Sequence, residues 1–235
     1  MSMKASEWEF RNRAMVFGII LGLCFSLYSV DSENATAMLG TRIAGRVHLN
    51  EDLATRLLFW FAALVLAVAA LIRTWASSYL NASVVYAAEI KSSALVADGP
   101  YRHVRNPLYL ANVLMAFGLG SMMSRAGFVF AVVAMWVFCY RLILREESEL
   151  RASQGARFEV YCRAVPRLWP ALRPGTASAG GQPKWTEGFK AEFWYWGFAV
   201  AVAAFAITLK LPFFFAAMAV SIGLFWITSA IRAKR

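Results

Sequence analysis

The chain has 235 residues, of which 60% are hydrophobic and 16% are charged, and its mean hydropathy is +0.52. Soluble domains usually carry about a quarter of charged residues, so this composition excludes an ordinary soluble domain. The formal net charge of +10 does not indicate a nucleic-acid partner, because no basic face belongs to a soluble module.

Six apolar blocks follow one another along the chain, and each approaches the roughly 20 residues that a bilayer crossing needs. Tilt and snorkelling side chains accommodate the shorter ones. The sequence therefore predicts an all-α fold, a polytopic integral membrane helix bundle with about six transmembrane helices. The blocks are residues 14–30, 57–72 with an extension back to 53, 107–123, 126–140 with an extension to 144, 193–209 and 211–231.

Four segments follow from these blocks. Residues 1–52 are expected to hold one transmembrane helix, retained as an anchor, and an external loop. Residues 53–170 form the membrane core, 171–192 a linker, and 193–235 a C-terminal transmembrane hairpin.

The distribution of basic residues predicts the orientation. With six crossings, 19 of the 24 Lys and Arg residues fall on the side that holds both termini. The positive-inside rule places that side in the cytoplasm, so we expect a multi-pass protein of the plasma (inner) membrane that contacts membrane lipids.

Cysteine and histidine give no sign of a metal site. Cys24, Cys139 and Cys162 lack neighbouring metal-ligand partners, and His48 and His103 fall on opposite sides of the membrane. We therefore predict no metal.

The polar segment before the third block predicts a site at the cytoplasmic surface. Asp98-Gly99-Pro100 is typical of a turn, and Asn106-Pro107 is typical of a helix start. A hairpin over residues 107–144 would return Glu146-Glu147 close to Asn106, where a soluble cofactor would meet a substrate in the membrane. We also expect a surface helix around residues 149–163 and a flexible linker over 175–183.

Each part of this segment also has a purely structural interpretation. The arginines can anchor helix ends, and the tyrosines can belong to an interfacial aromatic belt. Adjacent glutamates can simply begin a surface helix. The combination of these parts at one membrane face favours a site.

This combination resembles the isoprenylcysteine carboxyl methyltransferases and related membrane methyltransferases that act on phospholipids and small thiols. The resemblance covers about residues 55 to 170. It lies in Gly99-Pro100-Tyr101-Arg102-His103-Val104-Arg105-Asn106-Pro107-Leu108-Tyr109, then Arg145-Glu146-Glu147, then the spaced residues Gly155, Phe158, Tyr161, Val165 and Pro166.

The resemblance implies S-adenosylmethionine as cofactor, bound at the cytoplasmic end of the helix bundle. It implies catalytic roles for Arg105, Arg145 and Glu146, and it makes Arg141 and Arg145 candidates for binding an acidic substrate group. The implied cofactor shell is Ser93, Ala94, Leu95, Val96, Tyr101, Asn106, Pro107, Leu108, Tyr109, Glu146 and Glu147.

One position departs from the family pattern. Asn106 stands where the family usually has His, and Asn keeps a hydrogen-bond donor and acceptor but cannot titrate. Three functions remain open: a methyltransferase for a carboxylate, thiol or amine on a hydrophobic or lipidated acceptor, an NADPH-dependent membrane reductase of the sterol-reductase type, and a non-catalytic membrane scaffold or transporter. The sequence does not give the oligomeric state.

Overall fold

The computed structural model describes residues 3–80 and 97–233, with side chains described as far as residue 224. Every regular element in these ranges is helical, which confirms the all-α class. In chain order the described α-helices are α1 (Glu7–Arg11), α2 (Arg13–Ser26), α3 (Ala35–Val47), α4 (Glu51–Tyr79), α5 (Pro107–Gly120), α6 (Arg125–Gln154), α7 (Ala156–Ala164), α8 (Trp185–Thr208) and α9 (Leu211–Ala233).

Apolar helices occupy all six predicted blocks. Helices α4, α6 and α8 are long and apolar enough to cross a membrane. Three shorter apolar helices, Arg13–Ser29, Pro107–Gly120 and Leu211–Leu224, account for the other blocks. Because only helices or closed barrels satisfy their backbone within a bilayer, these helices define an integral membrane protein of the helical class, as predicted.

The chain divides into two compact units. The site residues that were predicted from the sequence and that the structure describes all belong to the first unit. The first unit comprises Met1–Ile20, Leu71–Val113 and Val133–Glu192, and the second comprises Leu21–Ala70, Leu114–Val132 and Phe193–Arg235.

The predicted external loop contains a helix, α3, that the sequence analysis missed. Asn34 caps it, because its side-chain oxygen accepts a hydrogen bond from the Ala37 amide at 2.8 Å, and the helix ends at His48 in the left-handed conformation. Asn34 was therefore an available start signal. Hydropathy does not reveal this helix, because the segment is too short and polar to count as a membrane crossing.

Helix α6 runs beyond the predicted end at Leu144, as far as Gln154. Ion pairs one helical turn apart, Arg145 with Glu149 and Glu147 with Arg151, favour this extension. The helix ends at Gly155, whose φ of +52° is accessible to glycine at little cost. The single surface helix expected around residues 149–163 is therefore wrong, since Gly155 separates α6 from α7.

Within the second unit, polar side chains fix the connection between α5 and α6. The Asn34 side-chain nitrogen donates to the carbonyl groups of Ser121 and Met123, both at 3.0 Å. At the start of α6, Arg125 pairs with Asp31 at 2.8 Å. These bonds hold the short hairpin that the sequence predicted.

A close approach of α6 to α2 makes Gly127 sensitive to substitution. A Cβ atom at Gly127 would lie 2.4 Å from the Cys24 carbonyl oxygen, and a helix backbone cannot move aside cheaply. We expect Gly127→Ala to lower the free energy of unfolding by about 1–3 kcal/mol, measured by thermal or SDS-induced unfolding of the purified protein. Gly22→Ala is the control, since a Cβ there meets nothing within 4 Å. Equal stability of the two variants would contradict the close packing.

Candidate functional site

The loop that carries Tyr101 is fastened by Asp98. One Asp98 carboxylate oxygen accepts hydrogen bonds from the Ser178 hydroxyl at 2.7 Å and the Ala179 amide at 2.8 Å, and the other accepts from the Gly181 amide at 2.9 Å. The Ser178 hydroxyl is the main reason that the pKa of Asp98 lies below its ordinary value. The segment predicted as a flexible linker is thus tied to the Tyr101 loop.

The predicted turn itself is a 3₁₀ helix over Gly99–Arg102. Gly99 has a φ of +57°, and a Cβ there would lie 2.3 Å from the Tyr79 ring, so both the backbone and the space require glycine. The Tyr101 side chain is buried, and its carbonyl accepts a hydrogen bond from the Tyr161 hydroxyl at 2.7 Å. The tight packing at Gly99 and the hydrogen bond from Tyr161 therefore both hold Tyr101 in position.

We expect Asp98→Asn to destabilise the protein by about 1–3 kcal/mol at pH 7, because the amide group cannot accept all three hydrogen bonds. The folded pKa of Asp98 is depressed, so its contribution is fully present above the unfolded pKa and is lost as pH falls through the folded value. Thermal unfolding between pH 7 and pH 3 should show the difference from wild type shrinking below about pH 4. Asp52→Asn, at an exposed aspartate, is the control. A difference that stayed constant with pH would argue against the charged carboxylate as the cause.

Helix α5 begins at Pro107, as predicted. The Asn106 side-chain nitrogen donates to the Arg167 carbonyl at 3.0 Å and lies 3.4 Å from a Glu147 carboxylate oxygen. Both contacts use Asn106 as a donor, a role that needs no titrating group.

The hairpin of α5 and α6 brings Tyr109 and Glu146 together. The buried Tyr109 hydroxyl donates a hydrogen bond to Glu146 at 2.7 Å, although 37 positions separate them in the chain. Glu146 is partly buried. The prediction of a hairpin requires Glu146 to lie close to the start of α5, and its hydrogen bond to Tyr109 shows that it does.

Glu147 lies at the centre of a cluster of arginines. Its carboxylate is almost fully buried and accepts hydrogen bonds from Arg167 at 2.8 and 3.1 Å. Arg105 approaches it to 3.5 Å and Arg151 to 3.6 Å. Among the described residues, three guanidinium groups therefore approach one carboxylate, and Arg151 also pairs with Glu159 at 2.8 Å.

The N-terminal segment contacts the two arginines predicted to bind an acidic substrate group. Arg141 donates to both Glu9 carboxylate oxygens, at 3.0 and 2.8 Å. The Ser6 amide, followed by Arg141, holds the pKa of Glu9 below its ordinary value. Arg145 pairs with Glu149 at 3.0 Å and lies over the buried Phe10 ring. Both arginines thus have partners within the chain.

A second polar cluster was missed by the sequence analysis. The side chains of Arg73 in α4 and Glu192 in α8 form a buried ion pair, and Glu192 also accepts from the Ser77 hydroxyl at 2.6 Å. Arg73 donates to the Asn112 side-chain oxygen at 2.8 Å. Arg73 and Glu192 flank apolar blocks in the sequence, and this pattern does not predict their pairing across 119 positions. The sequence signal for this cluster is Asn112, a polar residue within an apolar block.

Between residues 97 and 106, two buried polar atoms have no hydrogen-bond partner among the described residues: the Tyr101 hydroxyl oxygen and Arg105 Nε. Buried groups of this kind are normally satisfied, so these two atoms need a partner that the described residues do not supply. Leu108 is partly buried beside Tyr109. Ser93, Ala94, Leu95 and Val96 lie outside the described residues. Within residues 3–80 and 97–233, no group of three His, Cys, Asp or Glu residues is arranged to hold a metal ion.

The fold defines a helical membrane protein. The Glu147 cluster places buried charged groups at one end of its α5–α6 hairpin. Residues 57–156 match the family model described as phospholipid methyltransferase. This match covers 100 of the 235 residues and confirms the predicted resemblance.

Two curated proteins are similar to this chain. Over 177 residues the chain is 25% identical to the cobalt-zinc-cadmium resistance protein CzcN of Cupriavidus metallidurans, covering 72% of this chain and 77% of that protein. Over 113 residues it is 30% identical to the nickel-cobalt-cadmium resistance protein NccN of Alcaligenes xylosoxydans xylosoxydans, covering 48% of this chain and 53% of that protein. No solved structure matches the chain at a significant level.

Proposed function

We propose that the protein transfers a methyl group from S-adenosylmethionine to a carboxylate, thiol or amine of a hydrophobic or lipid-like acceptor, in the manner of isoprenylcysteine carboxyl methyltransferases. The observation that carries this proposal is the Tyr109–Glu146 pair. It belongs to the same unit as the buried polar atoms of Tyr101 and Arg105 that have no hydrogen-bond partner among the described residues. S-adenosylmethionine supplies a methyl group already activated on a sulfonium. The protein therefore needs mainly to bind and orient the cofactor and the acceptor, and to exclude water from them.

The available groups fit such a cofactor. The Glu146 carboxylate suits a cationic amino group or ribose hydroxyls, and Arg105 Nε suits a carboxylate. The faces of Tyr101 and Tyr109 suit adenine and a cation. The full proposed shell is Ser93, Ala94, Leu95, Val96, Tyr101, Asn106, Pro107, Leu108, Tyr109, Glu146 and Glu147.

For the acceptor, we keep Arg141 and Arg145 as the proposed ligands of an acidic group, with Arg105, Arg145 and Glu146 as the proposed catalytic residues. An acidic acceptor would have to replace Glu9 on Arg141, since that pair is already formed. The acceptor would reach the site from the membrane, where the protein contacts lipid. The excess of basic residues on one side supports both termini in the cytoplasm.

A reductase that uses NADPH is the second candidate, and one observation favours it. Three arginines approach Glu147, so the local charge is more positive than that of Glu146 and Glu147 alone. The site would therefore repel the 2'-phosphate of NADPH less strongly.

Calorimetric titration of the detergent-purified protein with S-adenosylmethionine and with NADPH separates these functions. We expect saturable binding of S-adenosylmethionine and none of NADPH. Binding of NADPH alone would move the protein to the reductases. Binding of neither, by protein that remains folded in a thermal scan, would leave a non-catalytic scaffold.

A further inference from the structure

The segment between α7 and α8 carries large apolar side chains on the surface of the first unit. Trp169 is 72% exposed and Leu172 is 100% exposed. Large apolar side chains that lie exposed close together mark a surface that binds a partner. Residues 168–172 are called the Trp169 loop below.

The Trp169 loop is fastened to the rest of its unit. Leu168 is buried, and the Ala171 amide donates to the His103 carbonyl at 2.9 Å. The Nδ1 atom of His103 lies 2.8 Å from the Ala171 carbonyl oxygen. Trp169 and Leu172 are therefore exposed on a backbone that is held in place.

Contacts with α6 show how far the loop reaches along that helix. The centroid of the Trp169 ring lies 6.0 Å from that of Trp136, and Arg167, the residue before the loop, donates to the Tyr140 hydroxyl at 3.0 Å. Trp136 and Tyr140 both belong to the apolar block 126–140, in a helix long and apolar enough to cross a membrane. Trp136 lies about one helical turn inside this block from its last residue. The loop therefore lies beside the apolar part of α6 and not beyond it.

The loop adjoins an exposed apolar stripe on α6. Val129, Val133 and Val137 are each more than half exposed and follow one another at intervals of four positions, so they share one helix face. Trp136 follows Val133 by three positions and borders the same face. In a helix that crosses a membrane, an exposed apolar stripe faces lipid. Trp169 packs against Trp136 and therefore continues this lipid-facing surface.

The charge of the segment fits a surface of anionic lipids. Residues 160–186 contain Arg163, Arg167, Arg173 and Lys184 and no acidic residue. Arg163 and Arg173, on either side of the loop, are exposed. Arginine near a membrane surface attracts anionic head groups, and tryptophan prefers the boundary between head groups and acyl chains. A soluble acidic partner would satisfy the arginines but would not account for the contact with a membrane-crossing helix.

We propose that the Trp169 loop enters the membrane interface, with Trp169 and Leu172 against the acyl chains and the two exposed arginines beside the head groups of anionic lipids. The loop is thus an interfacial anchor outside the six apolar blocks. It is joined to the candidate site, because the Asn106 side-chain nitrogen donates to the Arg167 carbonyl at 3.0 Å. The proposal does not depend on the methyltransferase function, and it holds equally for a reductase or a scaffold.

The test is the fluorescence of a tryptophan added to the loop. Leu172→Trp removes no packing contact, since the Leu172 side chain is fully exposed. The full-length variant is placed in nanodiscs of phosphatidylcholine and phosphatidylglycerol, and the emission of the added tryptophan is the difference between the variant and wild type. We expect phosphatidylcholine brominated on its acyl chains to reduce this emission by about twofold or more, and iodide in the buffer to leave it nearly unchanged.

Ser153→Trp is the control, at an exposed position near the end of α6 and beyond the apolar block. Iodide, and not brominated lipid, should quench this tryptophan. The same behaviour in Leu172→Trp would place the loop in water and overturn the proposal. Quenching by neither reagent would show that another protein or a second copy of this chain covers the loop, and would overturn it as well. The difference between wild type and Trp169→Phe repeats the measurement without an added residue.

A comparison of two brominated lipids at the same mole fraction tests the head-group charge. We expect brominated phosphatidylglycerol to quench Leu172→Trp about twofold more strongly than brominated phosphatidylcholine, because the exposed arginines concentrate anionic lipid around the loop. Adding Arg163→Gln and Arg173→Gln should remove this difference, whereas Arg46→Gln, at an exposed arginine of the second unit, should keep it. Equal quenching of Leu172→Trp by the two lipids would overturn the assignment to anionic lipid.

Discussion

Glu147→Gln is expected to lower the free energy of unfolding by about 3–5 kcal/mol, the usual cost of removing one partner from a buried ion pair. The substitution would leave Arg105, Arg151 and Arg167 facing one another with no carboxylate between them. The Arg105 side chain is only 10% exposed, so water cannot replace the lost charge there. SDS or thermal unfolding in detergent measures the effect.

Glu159→Gln provides a matched control for this experiment. Glu159 pairs with one of the same arginines, Arg151, at 2.8 Å, but both side chains are well exposed. Exposed pairs of this kind contribute about 0–1 kcal/mol. If the two variants were equally stable, the arginine cluster would not depend on Glu147 and the argument from burial would fail.

Glu146→Gln should raise the dissociation constant of S-adenosylmethionine by about 10- to 100-fold, because it removes the negative charge from the proposed cofactor site. Tyr109→Phe removes the hydrogen bond that orients this carboxylate, and we expect a smaller loss of about tenfold. Titration calorimetry with each variant gives these constants directly.

The control for cofactor binding is Glu149→Gln, which removes a carboxylate on the same helix that pairs only with Arg145 in the described ion pairs. It should leave the affinity within about twofold of wild type, because the Glu149 side chain is 40% exposed and its partner, Arg145, does not belong to the proposed cofactor shell. Unchanged affinity in Glu146→Gln as well would remove Glu146 from the cofactor site. A thermal scan of each variant shows whether the loss reflects binding or folding.

Much of the site could be predicted because its determinants are local. Pro107 begins α5 as expected, since proline suits the first turn of a helix. The short connection at Ser124-Arg125 makes α5 and α6 antiparallel, and this geometry returns Glu146 to the end of the hairpin where Tyr109 lies. The roles of the predicted residues in binding and catalysis remain predictions.

Other contacts could not be predicted because they depend on which distant segments meet. Glu9 pairs with Arg141 across 132 positions, and the Asp98 carboxylate finds its partners some 80 positions away. Helix α6 also runs past the apolar block, since helix propensity and one-turn ion pairs continue where hydropathy ends.

The sequence by itself determined the membrane class, the six apolar blocks and the hairpin. Bilayer thickness sets the length of an apolar segment, and a short connection sets the direction of the helix that follows it. Only the tertiary structure decided how the charges are paired. Arg73 and Glu192 each stand near the end of an apolar block, where a sequence pattern indicates an exposed flank. Their burial against each other follows from the packing of α8 on α4, because a close approach of two helices excludes water and leaves the opposite charge as the available partner.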